Sequence, residues 1–469
     1  MSATKPGIER TVSSYCYQCV AGPDLLTVRI QDGVATETNP NFAAAKIHPA
    51  GGKVCVKAFG LVQKAYHPDR VLHPMKRTNP KKGRGEDPGF VRVSWDEALD
   101  LVASKLNAAR DKGLLDDAGY PRLAASFGGG GTPTAYMGTL PAFLAAWGPV
   151  DMSFGSGQGV KCYHSEHLYG ELWHRAFTVS PDTPLCQYLV SLGANVEASG
   201  GVCGVKRHAD ARKRGMKRVQ IEPHLSITGA CSAEWIPIKP KTDAAFLFAM
   251  IHVLLHEHPR ARLDLVFLKH RTSSPYLIGP DGFFLRDIDS RKPLIFDQRS
   301  ARAVVFDATD VEPALEGEFH VDGIEVGADD EATIRRACKV SPAFAQLVAF
   351  AKDYSPEWAA SICDVPAAAI RRIANEFLAH AHVGETIEIE GVMLPYRPVA
   401  IALGKTVNNG WGGYECCWAR TLLPCLVGAL EVPGGKLGTT VRLNRPADNR
   451  WSSVTPGPDG FMHLSLIHI

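Results

Sequence analysis

Short apolar runs that stop at a turn residue and give way to helical stretches constrain this chain more than any other feature. Leu185 to Leu192 runs into Gly193-Ala-Asn195, Val219 to Ile221 into Glu222-Pro223, and Leu123 to Phe127 into Gly128 to Gly131. Strands that are apolar along their whole length are buried on both faces, as in parallel sheets covered by helices. The expected fold class is therefore α/β, doubly wound, with ligands at the carboxyl ends of the strands. A helix from Asp243 to Glu257 follows Lys239-Pro-Lys-Thr-Asp243, and helical periodicity returns at Pro342 to Ala351 and Pro366 to Ala381. Gly-rich turns recur at Asn408 to Gly413 and Pro433 to Gly435.

Charge is nearly balanced, net +2 with 21% of residues charged and 45% hydrophobic. That excludes a disordered chain and leaves no basic surplus for gripping nucleic acid. The longest near-apolar run, Phe246 to Leu255, contains His252 and falls well short of the ~20 residues a membrane span needs. The opening MSATKPGIER has neither an apolar h-region nor twin arginines, so the expected address is cytoplasmic.

Twelve cysteines in 469 residues are too few for a disulfide scaffold. In a reducing compartment most would be buried small hydrophobes. Cys416-Cys417, beside Trp418, reads as packing. Cys16-Tyr-Gln-Cys19 precedes a hairpin, Leu25 to Ile30 and Val34 to Glu37 about Gln31-Asp-Gly33, and Cys55 follows it. Zinc wants four ligands from two short knuckles, and no second pair lies nearby. A redox Cys-x2-Cys opens a helix after a strand, which this one does not. An iron–sulfur cluster, whose thiolates come from scattered points, fits better, with three separately buried thiols as the alternative. Beyond a Lys/Arg/Gly/Pro-rich surface stretch between Pro74 and Gly89, Ser94 and Glu97 form a capping box for a helix from Trp95 to Leu106.

Taken in order, four blocks resemble the opening of the molybdopterin oxidoreductases, the dimethyl sulfoxide reductase family. They are Cys16-Tyr-Gln-Cys19, Gly51-Gly-Lys-Val-Cys55-Val-Lys57-Ala-Phe-Gly60, Tyr66-His-Pro-Asp-Arg-Val-Leu-His-Pro-Met-Lys76 and Val93-Ser-Trp-Asp-Glu-Ala98. The resemblance runs through nearly the whole chain. It implies a molybdenum centre, or tungsten, held by a bis(molybdopterin guanine dinucleotide) cofactor, and an iron–sulfur cluster on Cys16, Cys19 and Cys55. The family's third cysteine of the first run falls at Pro23, which cannot ligate. The cluster is then [3Fe–4S], or [4Fe–4S] with Asp24 as substitute ligand. Lys57 matches the family lysine placed between cluster and pterin.

Phosphates on such a cofactor call for glycine-rich approaches, and guanine for a carboxylate that accepts from N1–H and the amino group. Gly193-Ala-Asn195, Glu222-Pro223 and Lys241-Thr242-Asp243 each follow an expected strand. Singly each is a plain strand-end turn; together they match the family's three guanosine stations in order. Lys241 replaces the usual glycine, which requires a negative φ there. Gly155-Ser-Gly-Gln-Gly-Val-Lys-Cys162-Tyr163-His164 occupies the place of the metal ligand. Cys162 is the expected ligand, a soft thiolate suited to the metal; aligning His164-Ser165 with the family's Cys-His-Ser puts Tyr163 there instead. His164 is the expected proton carrier, with His167 and His174 on the same helical face.

The resemblance implies an oxidoreductase that acts on a small-molecule substrate. Its implied partners are an iron–sulfur electron-transfer subunit and, behind that, a membrane-anchor subunit. The N-terminal wording, SSYCYQCVAGPDLLTVRIQDGVATE with GGKVCVKAFGLVQKAYHPDR, looks most like members that oxidise phenylacetyl-CoA to phenylglyoxylate with a quinone-linked acceptor. Reductases of sulfur or arsenic oxyanions, non-redox hydratases or transhydroxylases, and a non-catalytic electron carrier are the alternatives. The implied architecture is a small iron–sulfur domain with hairpins (1–70), a discontinuous α/β domain (71–155 and 351–440) and a Rossmann-like pterin-binding domain (156–350). Residues 441–469 read as a truncated tail, with the family's C-terminal β-barrel missing and cofactor retention weak as the expected consequence.

Overall fold

A computed structural model describes residues 8–16, 24–127, 139–154, 164–174, 176, 178–408 and 412–438, with two short strands, Val454–Pro456 and Met462–Leu464. The chain divides into two compact units: Met1–Gln158 with Gly200–Lys206 and Asn444–Ile469, and Gly159–Ser199 with Arg207–Leu443.

In the first unit β1 (Glu9–Cys16), β2 (Asp24–Gln31) and β3 (Val34–Pro40) form an antiparallel meander. Asp32 and Gly33, at φ 51° and 83°, make the expected tight turn. β1 and β2 pair from Glu9↔Gln31 to Cys16↔Asp24, so the two chain segments close on each other at the cysteine. The chain returns through Gly52, at φ 73°, where a Cβ would lie 2.4 Å from the Asn41 carbonyl oxygen. Only glycine permits that crossing. It delivers α1 (Val56–Phe59) to the hairpin, where Thr38 Oγ1 donates to the Ala58 carbonyl at 2.7 Å. Cys16, Leu26 and Ala58 form a small buried cluster, with Val28, Val54 and Leu61 against it. Ser94 caps α2 (Trp95–Arg110) by accepting from Glu97 N at 3.1 Å, so the helix starts where expected and ends a turn later. Ala124–Phe127 pairs in parallel with Asp151–Phe154.

The second unit opens with α3 (His164–Tyr169) and is built on parallel strands: β4 (Tyr188–Leu192), β5 (Lys217–Ile221) and β6 (Glu234–Ile236). α4 (Asp243–His256) follows, then an antiparallel hairpin of β7 (Phe319–Val326) and β8 (Ala332–Pro342). Three helices come next, α5 (Ala343–Ala351), α6 (Pro356–Cys363) and α7 (Ala367–His380). β9 (Val399–Leu403) and α8 (Gly413–Leu426) complete it. Sheet order is β6-β5-β4-β9, parallel throughout. Residues 351–440, grouped with 71–155 on sequence grounds, therefore contribute the strand beside β4. Every residue of β4 is buried, as a doubly covered parallel strand requires. α4 is apolar on every face because α5, α6, α7 and α8 enclose it. Its one polar interior residue, His252, meets the Ala351 carbonyl through Nδ1 at 2.9 Å. Cys416 and Cys417 pack in this core. Among the described residues no helix is long and apolar enough to cross a membrane.

Candidate functional site

Because the four strands of this sheet, β6, β5, β4 and β9, point the same way, their carboxyl ends share one edge. Chain order runs outward from β4 to β5 and β6, whereas β9 enters on the far side of β4. The order reverses between β4 and β9, the position at which an open α/β sheet forms a ligand crevice. Gly193 follows β4 and Gly404 follows β9, and the two loops are pressed together. A Cβ at Gly404 would lie 2.0 Å from the Gly193 carbonyl oxygen; one at Gly193, at φ 62°, would lie 2.7 Å from Val407 Cγ2. Thr406 Oγ1 donates to the Gly193 carbonyl at 3.2 Å, and Lys241 Nζ to the Thr406 carbonyl at 2.6 Å. Gly404, Lys405 and Thr406 share the signature of the Gly193 station, an apolar strand ending in glycine, and only the sheet order reveals that they belong with it.

Asn195 lies beside Thr228, whose hydroxyl is 2.9 Å from Asn195 Oδ1 and 2.6 Å from Glu197 Oε2. One hydroxyl proton serves one of these, so the proton goes to the carboxylate and a turned Asn195 amide donates instead. Arg218, fully buried, holds this corner with Nη2 to Glu197 Oε1 at 2.8 Å and Nη1 to His208 Nδ1 at 3.1 Å. Burial, with Arg218 adding to it, pushes the His208 pKa down to about 4. Glu222 is buried and turned into its own loop, accepting from Ser226 N and Gln220 Nε2 at 2.9 Å each, while Pro223 is exposed. Thr242 precedes α4 and donates to the Lys239 carbonyl at 2.6 Å. Asp243, the first residue of α4, is buried, and that burial raises its pKa. Lys241 corrects an expectation: it adopts φ 66°, the left-handed region. For a non-glycine residue this costs roughly 1–2 kcal/mol, and the bond to Thr406 offsets part of it.

Cys162 and Tyr163 lie outside the described residues, and of His164 only the backbone, opening α3, is described. Two residues on, Glu166 is buried, accepts from Asn408 Nδ2 at 3.0 Å and stands 3.5 Å from Arg420 Nη1. Arg420 is fully buried, and none of its three nitrogens has a hydrogen-bond acceptor. Lys436, also buried, donates to the Ile401 carbonyl at 2.6 Å; burial, reinforced by Arg420, holds its pKa well below the lysine range. A π turn from Gly170 to His174 ends α3 and changes the angular step, so the histidine row does not continue. His174 instead faces Glu431 from a buried position, and burial lowers its pKa against that carboxylate's pull.

In the first unit Cys16 ends β1 and is 8% exposed, and Asp24 opposite it is 6% exposed. Asp24 Oδ1 has no hydrogen-bond partner. Burial raises the Asp24 pKa, opposed by His48 and the Cys55 backbone N–H. Cys55 is the N-cap of α1, and Lys57, two residues on, is exposed. Cys19 and Pro23 lie outside the described residues. Among the described residues no group of three His, Cys, Asp or Glu side chains is arranged to hold one metal ion. Ligands of an iron–sulfur cluster bind different irons and stand farther apart than donors on a single ion.

A sulfite dehydrogenase subunit of Allochromatium vinosum is 25% identical to this chain over 444 residues, covering 90% of the chain and 42% of that protein. A putative dimethyl sulfoxide reductase catalytic subunit of Halobacterium salinarum is 27% identical over 355 residues, covering 72% of the chain and 40% of that protein. The chain thus spans less than half the length of these curated relatives. Among solved structures, acetylene hydratase from Pelobacter acetylenicus superposes with a TM-score of 0.58 at 18% identity, covering 91% of this chain and 44% of that one, a likeness of fold. Residues 70–450 match the molybdopterin oxidoreductase family, and with strand ends and sheet order of this kind the chain belongs to that family.

Proposed function

We propose that this chain is part of the catalytic subunit of a molybdopterin-dependent oxidoreductase, with a molybdenum or tungsten centre on its second unit and an iron–sulfur cluster on its first. The observation that carries the reading is the strand-end edge, where Gly193 to Asn195, Glu222, Lys241 to Asp243 and Gly404 to Thr406 converge from four distant stretches of sequence. That edge suits a pterin guanine dinucleotide: its glycine-lined backbone admits phosphates, Lys241 and Lys405 supply positive charge, and Asp243 supplies a carboxylate for guanine. When bound, the cofactor supplies a metal that exchanges an oxygen atom and two electrons with substrate. The chain's own part is to ligate that metal through Cys162, to hold or deliver a proton at His164, and to fix α3 through Glu166 against Asn408 and Arg420.

For the substrate, the names of the relatives favour oxygen-atom chemistry at sulfur, sulfite above all. The wording around Cys16 and Cys55 favours a second reading, oxidation of phenylacetyl-CoA. An iron–sulfur electron-transfer subunit, with a membrane anchor behind it, and a cytoplasmic address complete the proposal. Electron paramagnetic resonance of the purified holoenzyme tests this. A Mo(V) or W(V) signal is expected to respond to sulfite; a response to phenylacetyl-CoA alone would put the second reading in its place. A holoenzyme with neither metal would end both.

A further inference from the structure

Asn195 lies half-buried just past the end of β4, and its side-chain amide meets the Thr228 hydroxyl at 2.9 Å. A hydroxyl has one proton to give and two lone pairs with which to accept. Around Thr228 Oγ1 the other partners are settled. Glu197 N donates to it at 3.1 Å, and Glu197 Oε2 stands 2.6 Å away. The second oxygen of that carboxylate accepts from Arg212 Nη1 at 2.6 Å and from Arg218 Nη2 at 2.8 Å, so two guanidinium groups keep it ionised. An ionised carboxylate can only accept, and at this separation it repels the hydroxyl oxygen unless the Thr228 proton lies between them. With the proton spent there and one lone pair on Glu197 N, a single lone pair remains toward Asn195. Only the amide Nδ2 can answer it, since nitrogen and oxygen of an amide are told apart by their partners.

Asn195 Oδ1 is therefore turned away from Thr228, and nothing else among the described residues bonds the side-chain amide. The first station of the edge thus offers an acceptor, which an ionised phosphate, itself an acceptor, cannot use. Asp243 is already assigned to the guanine donors, and Glu222 is occupied by Ser226 N and Gln220 Nε2. The donors that remain on a guanosine half are the ribose hydroxyls. We infer that Asn195 accepts from a ribose hydroxyl, and that Glu197, acting through Thr228, is the positioning residue that fixes this polarity. The inference rests on the guanosine cofactor proposed above and goes beyond it by giving Asn195 a chemical selectivity and Glu197 a role.

Calorimetric titration of the full chain, freed of bound nucleotide, tests it with guanosine diphosphate and its 2′-deoxy, 3′-deoxy, 2′-fluoro and 3′-fluoro analogues. Loss of the hydroxyl that Asn195 meets should weaken binding roughly five- to tenfold, the worth of one neutral hydrogen bond. Fluorine at that carbon accepts but does not donate, so the fluoro analogue should bind no better than the deoxy one. In Glu197→Gln the new amide oxygen stays with the two arginines and its NH2 turns to Thr228. The hydroxyl proton then passes to Asn195, whose N–H faces the ligand, and the fluoro analogue should bind more tightly than the deoxy one. Circular dichroism checks the fold; should Glu197→Gln not fold, Thr228→Val frees the same amide and should likewise raise the fluoro analogue above the deoxy one. A fluoro analogue that matches guanosine diphosphate in the unaltered chain would overturn the polarity of Asn195. Equal affinity for every analogue would overturn the ribose contact, and an unchanged ranking in the folded variant would remove Glu197 as its cause. No binding of guanosine diphosphate to the unaltered chain would overturn the guanosine reading of the edge and the inference with it.

Discussion

Helices α2 and α4 are both rich in apolar residues, and the two use them differently. α4 buries ten of its fourteen residues, with Phe246, Leu247 and Leu254 wholly shielded. α2 carries Trp95, Leu99 and Val102 along one stripe, exposed at 67%, 59% and 56%, and buries no residue at all. The caps differ in the opposite sense: α2 has the Ser94 cap, whereas Thr242 makes no cap bond to α4. Local signals therefore place a helix, and tertiary contacts decide what it contributes to stability. The second unit makes its own core, while the first presents an apolar helix face that none of the described residues covers.

The sharpest way to break that comparison is a pair of truncations followed by urea unfolding. Phe246→Ala in α4 should cost roughly 3–5 kcal/mol, as for large core aromatics, while Leu99→Ala in α2 should lie within about 0.5 kcal/mol of the parent. Equal losses would mean that the α2 stripe is covered in solution. Acid titration sharpens the contrast next. His208 has a folded pKa near 4, below its ordinary 6.5, so the fold binds fewer protons there than the unfolded chain. Stability from this group is full above pH 6.5 and is lost as pH falls from 6.5 toward 4, by at most about 3 kcal/mol. Unfolding midpoints of His208→Gln should be flatter across that window; an unchanged acid limb would remove His208 as its source. The smallest effect is expected at Lys241→Gly. Relief of the left-handed backbone is opposed by the lost bond to Thr406 and a freer unfolded chain, so the melting midpoint should move by about 1 kcal/mol equivalent or less. A large loss would show that the Lys241 side chain, not its backbone, holds the edge together.

Much of this was legible in the residues. The apolar runs ending at Leu192 and Ile221, the Asp32-Gly33 turn and the Ser94 cap are local patterns with local causes, and each element appears where its pattern lies. Molybdopterin oxidoreductase membership followed from ordered motifs and is matched over residues 70–450. The pairing of β9 with β4 was not legible, because a buried parallel strand carries no mark of its neighbour, and so Gly404 and Thr406 went unnoticed. Nor was the left-handed Lys241 read correctly: the glycine it replaces in the family pointed to positive φ, but the lysine itself argued for a negative one. The Glu166–Asn408–Arg420 group is another such case: three polar residues scattered over the sequence become a buried charged knot only when α3 and α8 pack. The orphan oxygen of Asp24 also depends on the fold, although the gap in the cysteine series pointed to its position.

The sheet order has a consequence for how the polypeptide is made. β4 stays an open edge until β9 arrives about 200 residues later, and pairings so distant in sequence form slowly. During translation the emerging chain exposes the unpaired flank of a strand that is wholly buried in the finished fold, while the ribosome completes the intervening hairpins and helices. Over that interval the open flank is a template for wrong pairing, a hazard that the finished sheet removes by closing β9 onto it.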